Sequence, residues 1–224
     1  EDHNEVNNFS EIESIRVPGS IEVVDMSGRW TDKVNHDNLV KLNFSVKPGE
    51  LIIVIGSVGC GKSCLLYSLL SEIEVTSGRV SVVGDTSFAP QEPWVFGGTV
   101  RDNILLASPM EEERYKRVIE SACLTRDLKL LPSGDETFVG EKGYSLSGGQ
   151  KARVSLARAL YRKAHVYLLD DPLSAVDPRV ANHIVDKAVK TFLAGKTVIL
   201  VTHQLQFLPH ADRVLFLHEG TIKR

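Results

Sequence analysis

The sequence predicts an α/β fold in two lobes: a mixed, largely parallel sheet with an antiparallel β subdomain, and an α-helical subdomain inserted into it. Three observations carry the prediction. Leu51–Ile55 is an unbroken run of leucine and β-branched residues that ends in a glycine-rich turn, the pattern of a parallel strand buried on both faces. Residues 166–169 and 198–201 are further apolar runs, each flanked by helical patterns, as parallel sheets require. Residues 21–24, and then Leu42, Phe44 and Val46, instead recur with the alternation of half-buried antiparallel strands.

Along the chain, the first 16 residues are polar and rich in Asn and Glu, with too little apolar content to order themselves. Residues 1–18 are therefore expected to form a disordered linker, and residues 19–224 the folded domain. Between residues 111 and 124 the apolar positions Tyr115, Val118, Ile119 and Ala122 fall at i, i+3, i+4 and i+7 among charges, an amphipathic helix. That helix belongs to the helical subdomain, expected over about residues 93–159. The tail over residues 214–222 is broken at Glu219-Gly220, which predicts a closing hairpin. Neither an internal repeat nor a low-complexity tract is visible.

Composition narrows the function. Of 224 residues 42% are hydrophobic and 25% charged, ordinary for a globular domain with a sizeable core. A net charge of -3 lacks the basic field that binding a phosphate backbone demands, so nucleic acid is not expected as a partner. Cys60, Cys64 and Cys123 make no framework of even number and regular spacing, which points to a reducing compartment. The apolar runs fall short of the roughly 20 residues a membrane helix needs. No signal peptide opens the sequence. A membrane role would come from segments outside these residues, and the chain is expected to be part of a longer protein.

The chemistry begins at Gly56-Ser57-Val58-Gly59-Cys60-Gly61-Lys62-Ser63, which fits G-x-x-x-x-G-K-[ST] between a predicted strand and a predicted helix. Glycines let the backbone curl so that successive N–H groups face a phosphate, the helix start adds its positive dipole end, and Lys62 reaches the β- and γ-phosphates. Ser63 offers a hydroxyl to Mg²⁺, and Cys64 follows directly as part of the same phosphate-wrapping stretch. A plain strand-to-helix turn needs one glycine, not three with a lysine and a serine. Asp170, after the apolar run of residues 166–169, is the acidic metal partner such a site requires; an aspartate there also suits a cap or a turn.

Leu146-Ser147-Gly148-Gly149-Gln150 lies between the two and resembles the signature of the ATP-binding cassette (ABC) family. The resemblance covers nearly the whole chain from about Ile21. Its elements come in the family's order: Gln91 after a strand, the LSGGQ stretch, Asp170, Ser174-Ala175-Val176-Asp177, and His203. Ser147 and Gln150 are also spaced as a capping box that opens a helix, and the two readings are compatible, because such a start exposes backbone N–H groups. The resemblance implies a P-loop NTPase core of the ABC type that binds ATP and Mg²⁺. It implies that Ser147, Gly148, Gly149 and Gln150 reach across a head-to-tail dimer to a nucleotide held by a second nucleotide-binding domain. It further implies that Gln91 touches Mg²⁺ and the attacking water, that His203 contacts the γ-phosphate, and that Trp30 stacks on adenine. Val139-Gly140-Glu141-Lys142-Gly143 looks like the exporter-type loop that meets membrane helices. The stretch around Asp170 and Asp171 resembles the first nucleotide-binding domain of multidrug-resistance-associated proteins, the C subfamily. A place on the cytoplasmic face of a membrane, the plasma membrane by expectation, follows from the resemblance, as does a monomeric state for the isolated chain.

One departure matters. Most members of the family carry a glutamate after the metal-binding aspartate, to polarise the attacking water, and this chain has Asp171. Intrinsic acidities of about 3.9 and 4.3 are too close to decide the outcome. Reach decides it: the shorter side chain withdraws the carboxylate by up to roughly 1.5 Å. Slow turnover at this site is expected, as the resemblance to the subfamily also implies. The rival readings are a regulatory ATP sensor of a channel or channel regulator, a chromosome-maintenance ATPase and a small-molecule kinase. The second needs a long coiled coil that the sequence lacks, and the third has no use for LSGGQ or His203.

Overall fold

The computed structural model describes residues 17–30, 37–140 and 143–223. Nearly all of the expected linker lies outside them, as do residues 141 and 142 of the loop before LSGGQ. An antiparallel sheet of three strands comes first in the chain: β1 (Ile21–Arg29), β2 (Leu39–Val46) and, after β3 (Leu51–Ile55), β4 (Glu74–Val82), in the order β2-β1-β4. Asp25, at φ 46°, marks the irregular register within β1.

The second sheet has six strands in the order β11-β10-β3-β9-β8-β5, drawn from β5 (Thr86–Ala89), β8 (Val166–Asp170), β9 (Thr197–Val201), β10 (Arg213–His218) and β11 (Thr221–Lys223). All its pairings are parallel except β10 with β11. Every residue of β8 and β9 is buried, as continuous apolar runs in a covered parallel sheet should be. Side chains alternate between two cores. Ile53, Tyr167, Leu169, Val198 and Leu200 face the helices of the insertion, whereas Ile52, Val54, Leu168, Ile199 and Val201 face the antiparallel sheet and α1 (Lys62–Leu69). The closing hairpin turns at Glu219 and Gly220, both with positive φ (46° and 70°), the conformation a two-residue turn needs to match the strand twist.

The segment between β5 and β8 holds a short β6 (Gly98–Thr99) and β7 (Phe138–Val139) pair, and the helices α2 (Val100–Leu105), α3 (Glu112–Ser121), α4 (Thr125–Leu130) and α5 (Gly148–Tyr161). Tyr115, Val118 and Ile119 form the buried face of α3, as the spacing predicts. α5 starts at the surface and ends in the core, where every residue from Val154 to Tyr161 is buried. After β8, α6 (Pro178–Ile184) is capped by Asp177 and runs into a π-helical stretch, Val185–Phe192.

Candidate functional site

Register builds the site. Val54 pairs with Val201, and Val201 with Asp170, so the carboxyl ends of β3, β9 and β8 stand in one row. Leu169 pairs with Ala89 of β5, which brings Pro90 and Gln91 to the same edge. Ligands of open α/β sheets sit there.

From β3 the chain bends into the glycine-rich loop. Gly56 is required by close approach: a Cβ on it would lie 2.1 Å from the Leu217 carbonyl oxygen and 2.6 Å from the Cys60 Sγ. Gly61 is the N-cap of α1 at φ 105°, and no side chain caps the helix. Among the described residues no acceptor takes the N–H groups of Gly59, Gly61, Lys62 or Ser63; the first closed turn is Leu65 N–H to Gly61 C=O at 2.8 Å. Lys62 is 7% exposed. Its ammonium lies inside the bend, donating to the carbonyls of Gly56 (2.9 Å) and Ser57 (2.8 Å). Free amides around a cation form an anion-binding concavity.

Opposite stand two buried acids, Asp170 and Asp171 (2% and 4% exposed). Burial pushes the Asp170 carboxyl above the usual range, and the Ser63 hydroxyl and the Lys62 ammonium pull it back. Burial raises Asp171 as well, against His203 and Lys62. Asp171 has φ 46°, a left-handed conformation that aspartate enters more readily than most residues. Its N–H donates to Val201 O (3.0 Å), and its carbonyl accepts the N–H and hydroxyl of Ser174 (3.2 and 3.0 Å). The side chain is thereby aimed at His203, Asp171 Oδ2 lying 3.9 Å from His203 Nε2.

These groups line a cleft of about 250 Å³ together with Trp30, Cys64 and Gln91. Trp30 is 40% exposed and stands edge-on to Tyr67, ring centroids 5.0 Å apart. Asn38 and Val58 also line the cleft and went unread in the sequence. Asn38 had a local signal only in hindsight: its Oδ1 accepts the Trp30 N–H at 3.2 Å. Gly56, Ser57 and Cys60 do not line the cleft; the Gly56 and Ser57 carbonyls hold the Lys62 ammonium, and the Cys60 N–H donates to the Ser57 carbonyl (3.3 Å). One carboxylate and one hydroxyl beside a phosphate cradle suit Mg²⁺, which keeps water and phosphate oxygens for its other positions.

Ser147, Gly148, Gly149 and Gln150 do not line that cleft. They open α5 as a complete capping box: Ser147 Oγ accepts the Gln150 N–H (3.3 Å), and Gln150 Oε1 accepts the Ser147 N–H (2.9 Å). A larger cleft of about 1260 Å³ opens beside the first and shares Ser63, Gln91 and Asp170 with it; Trp94 and Arg158 of the helical segment line its far side. No helix among the described residues is long and apolar enough to cross a membrane.

A family model described as ABC transporter matches residues 39–174. The chain is 50% identical over 204 residues to a Drosophila melanogaster protein named "Probable multidrug resistance-associated protein lethal(2)03659", covering 91% of this chain and 15% of that protein. It is 48% identical over 200 residues to ATP-binding cassette sub-family C member 4 of Homo sapiens, covering 89% and 15%. Against ABC transporter C family member 3 of Arabidopsis thaliana the identity is 44% over 205 residues, covering 92% and 14%. The chain thus spans about 15% of the length of the curated relatives it matches.

Proposed function

The chain belongs to the ABC transporter family, with relatives in its C subfamily, and on that premise we propose that it is the first of two nucleotide-binding domains of an exporter, holding Mg-ATP and hydrolysing it slowly. The observation that carries the proposal is the row of strand ends that sets the Lys62 loop against Asp170, Asp171 and His203. In this reading Trp30 stacks on the adenine. Lys62 and the amides of Gly59, Gly61, Lys62, Ser63 and Cys64 hold the phosphates, and Ser63, Gln91 and Asp170 hold the metal. When bound, Mg²⁺ neutralises charge on the phosphate oxygens.

Asp171, paired with His203, orients and polarises the attacking water; Gln91 reaches the same water. The shorter acid makes that alignment poor, and a misplacement of about 1 Å can cost on the order of a hundredfold in rate. Asp171→Glu is the test: turnover at this site in the intact protein should rise about tenfold or more. Unchanged turnover would remove misplaced water activation as the cause.

Residues 93–159 act as the helical subdomain. Its exposed α5 start, Ser147 to Gln150, completes the site of the second nucleotide-binding domain in a head-to-tail pair. The cleft below Gln91 receives the cytoplasmic ends of the transmembrane domains, which puts the chain on the cytoplasmic face of a membrane, by this reading the plasma membrane. Alone, the chain is a monomer. The same Asp171 also supports a second reading, a non-hydrolysing ATP sensor of a channel or channel regulator. ATP-coupled solute movement against ATP-gated conductance in the intact protein separates the two.

A further inference from the structure

The start of α5 is held from below by a side chain outside the LSGGQ stretch. Asp127, on α4, has a side chain only 16% exposed and pairs with Arg153, 12% exposed. Its Oδ2 accepts from Arg153 Nε and Nη2 (3.0 and 2.8 Å), and its Oδ1 accepts from Arg153 Nη2 (2.9 Å) and from Gln150 Nε2 (3.2 Å). A carboxylate only accepts, so it selects one face of the Gln150 carboxamide. With the NH₂ turned to Asp127, the oxygen must face the Ser147 N–H, as it does at 2.9 Å. The capping box then occupies the N–H groups of Ser147 and Gln150, while those of Gly148 and Gly149 have no acceptor among the described residues. Gly149 is wedged: a Cβ there would lie 2.9 Å from the Ala175 carbonyl oxygen and 3.4 Å from Arg153 Nη1.

We propose that Asp127 is a positioning residue for this helix start: by holding Gln150 and Arg153 it keeps the Gly148 and Gly149 amides as a preformed phosphate-binding pair. The proposal rests on the reading that Ser147 to Gln150 meets a phosphate held by the second nucleotide-binding domain. Preorganised donors act without reorganising at the moment of reaction. A carboxamide free to rotate would offer its NH₂ to the Ser147 N–H in half its orientations and open the box.

The test is a polarity swap in the intact membrane protein, read as ATP turnover. Asp127→Asn removes the acceptor-only partner, and Gln150→Glu removes the donor; each lowers turnover about tenfold, as expected for losing one hydrogen bond to a charged group. The double variant D127N/Q150E exchanges donor and acceptor. The introduced amide donates to the introduced carboxylate, which still accepts the Ser147 N–H in the Ser-x-x-Glu form of the box. Turnover in the double variant should recover to within about threefold of the unchanged protein, with equilibrium binding of Mg-ATP under non-hydrolysing conditions constant throughout. Turnover unaffected by Asp127→Asn, or a double variant no better than either single one, overturns the proposal. So does loss of Mg-ATP binding in Asp127→Asn that the swap does not restore. Gly149→Asp, run alongside, separates the two ideas. If it abolishes turnover while Asp127→Asn does not, only the positioning role fails; if it leaves turnover intact, the reading of Ser147 to Gln150 fails and takes the proposal with it.

Discussion

Two helix starts in this chain present bare backbone amides, and they do so by opposite means. At α1 the cap is Gly61 in a left-handed conformation with no side chain helping, so the amides of Gly59, Gly61, Lys62 and Ser63 stay unclaimed among the described residues, around the buried ammonium of Lys62. At α5 the cap is Ser147, and its box with Gln150 consumes two of the amides. The first start has a cation, two acids and an aromatic converging on it; Arg153, beside the second, is committed to Asp127. A helix N-terminus alone binds anions weakly. The contrast fits the proposed function, in which α1 carries a whole site and α5 part of one, to be finished by a nucleotide that another domain holds.

Glycine substitutions break the comparison most sharply. Gly56→Ala drives a Cβ to 2.1 Å from the Leu217 carbonyl, at φ 155°, a backbone region reserved for glycine. It should destabilise the chain by about 3 kcal/mol or more. Gly148→Ala meets nothing within 4 Å, in the first turn of a helix, where alanine is the better residue. Its stability should stay within about 1 kcal/mol of the unchanged chain. Urea unfolding of both variants checks the pair, and equal costs would mean that the two glycine turns are built alike.

A smaller effect comes from pH. Burial raises both Asp170 and Asp171 above the ordinary aspartate range. As the pH falls through those raised values the folded chain takes up protons that the unfolded chain does not yet hold, so the nucleotide-free chain gains stability there. In the proposed function Mg²⁺ competes with the proton on Asp170. The metal-dependent part of ATP binding should therefore weaken on acidification at a pH above about 3.9, where a free aspartate titrates. Titrations over a pH series read this, and a metal dependence flat down to that value would contradict it.

Much of this was legible in the chain. The run Leu51–Ile55 is β3 to the residue, because a strand covered on both faces leaves no polar position to blur its limits. Ser147 and Gln150 announced the capping box at α5, because that interaction is local. β4 was not readable, since its first six residues are exposed and it carries no buried stripe to betray a strand. Nor could sequence give the row Val54, Val201 and Asp170, because register between distant strands is set by packing and not by neighbours. Asp127 was hidden for the same reason: locally it is an acid in the first turn of a short helix, and only the fold brings Gln150 and Arg153 to it.

Calorimetric titration of the folded chain with ATP, with and without Mg²⁺, tests the central claim most directly. The expected result is one magnesium-dependent site per chain, lost in Lys62→Ala and unchanged in Ser147→Ala, because the residues that line the α1 cleft include none from α5. Absence of magnesium-dependent uptake by folded chain, or its loss in Ser147→Ala, would contradict it.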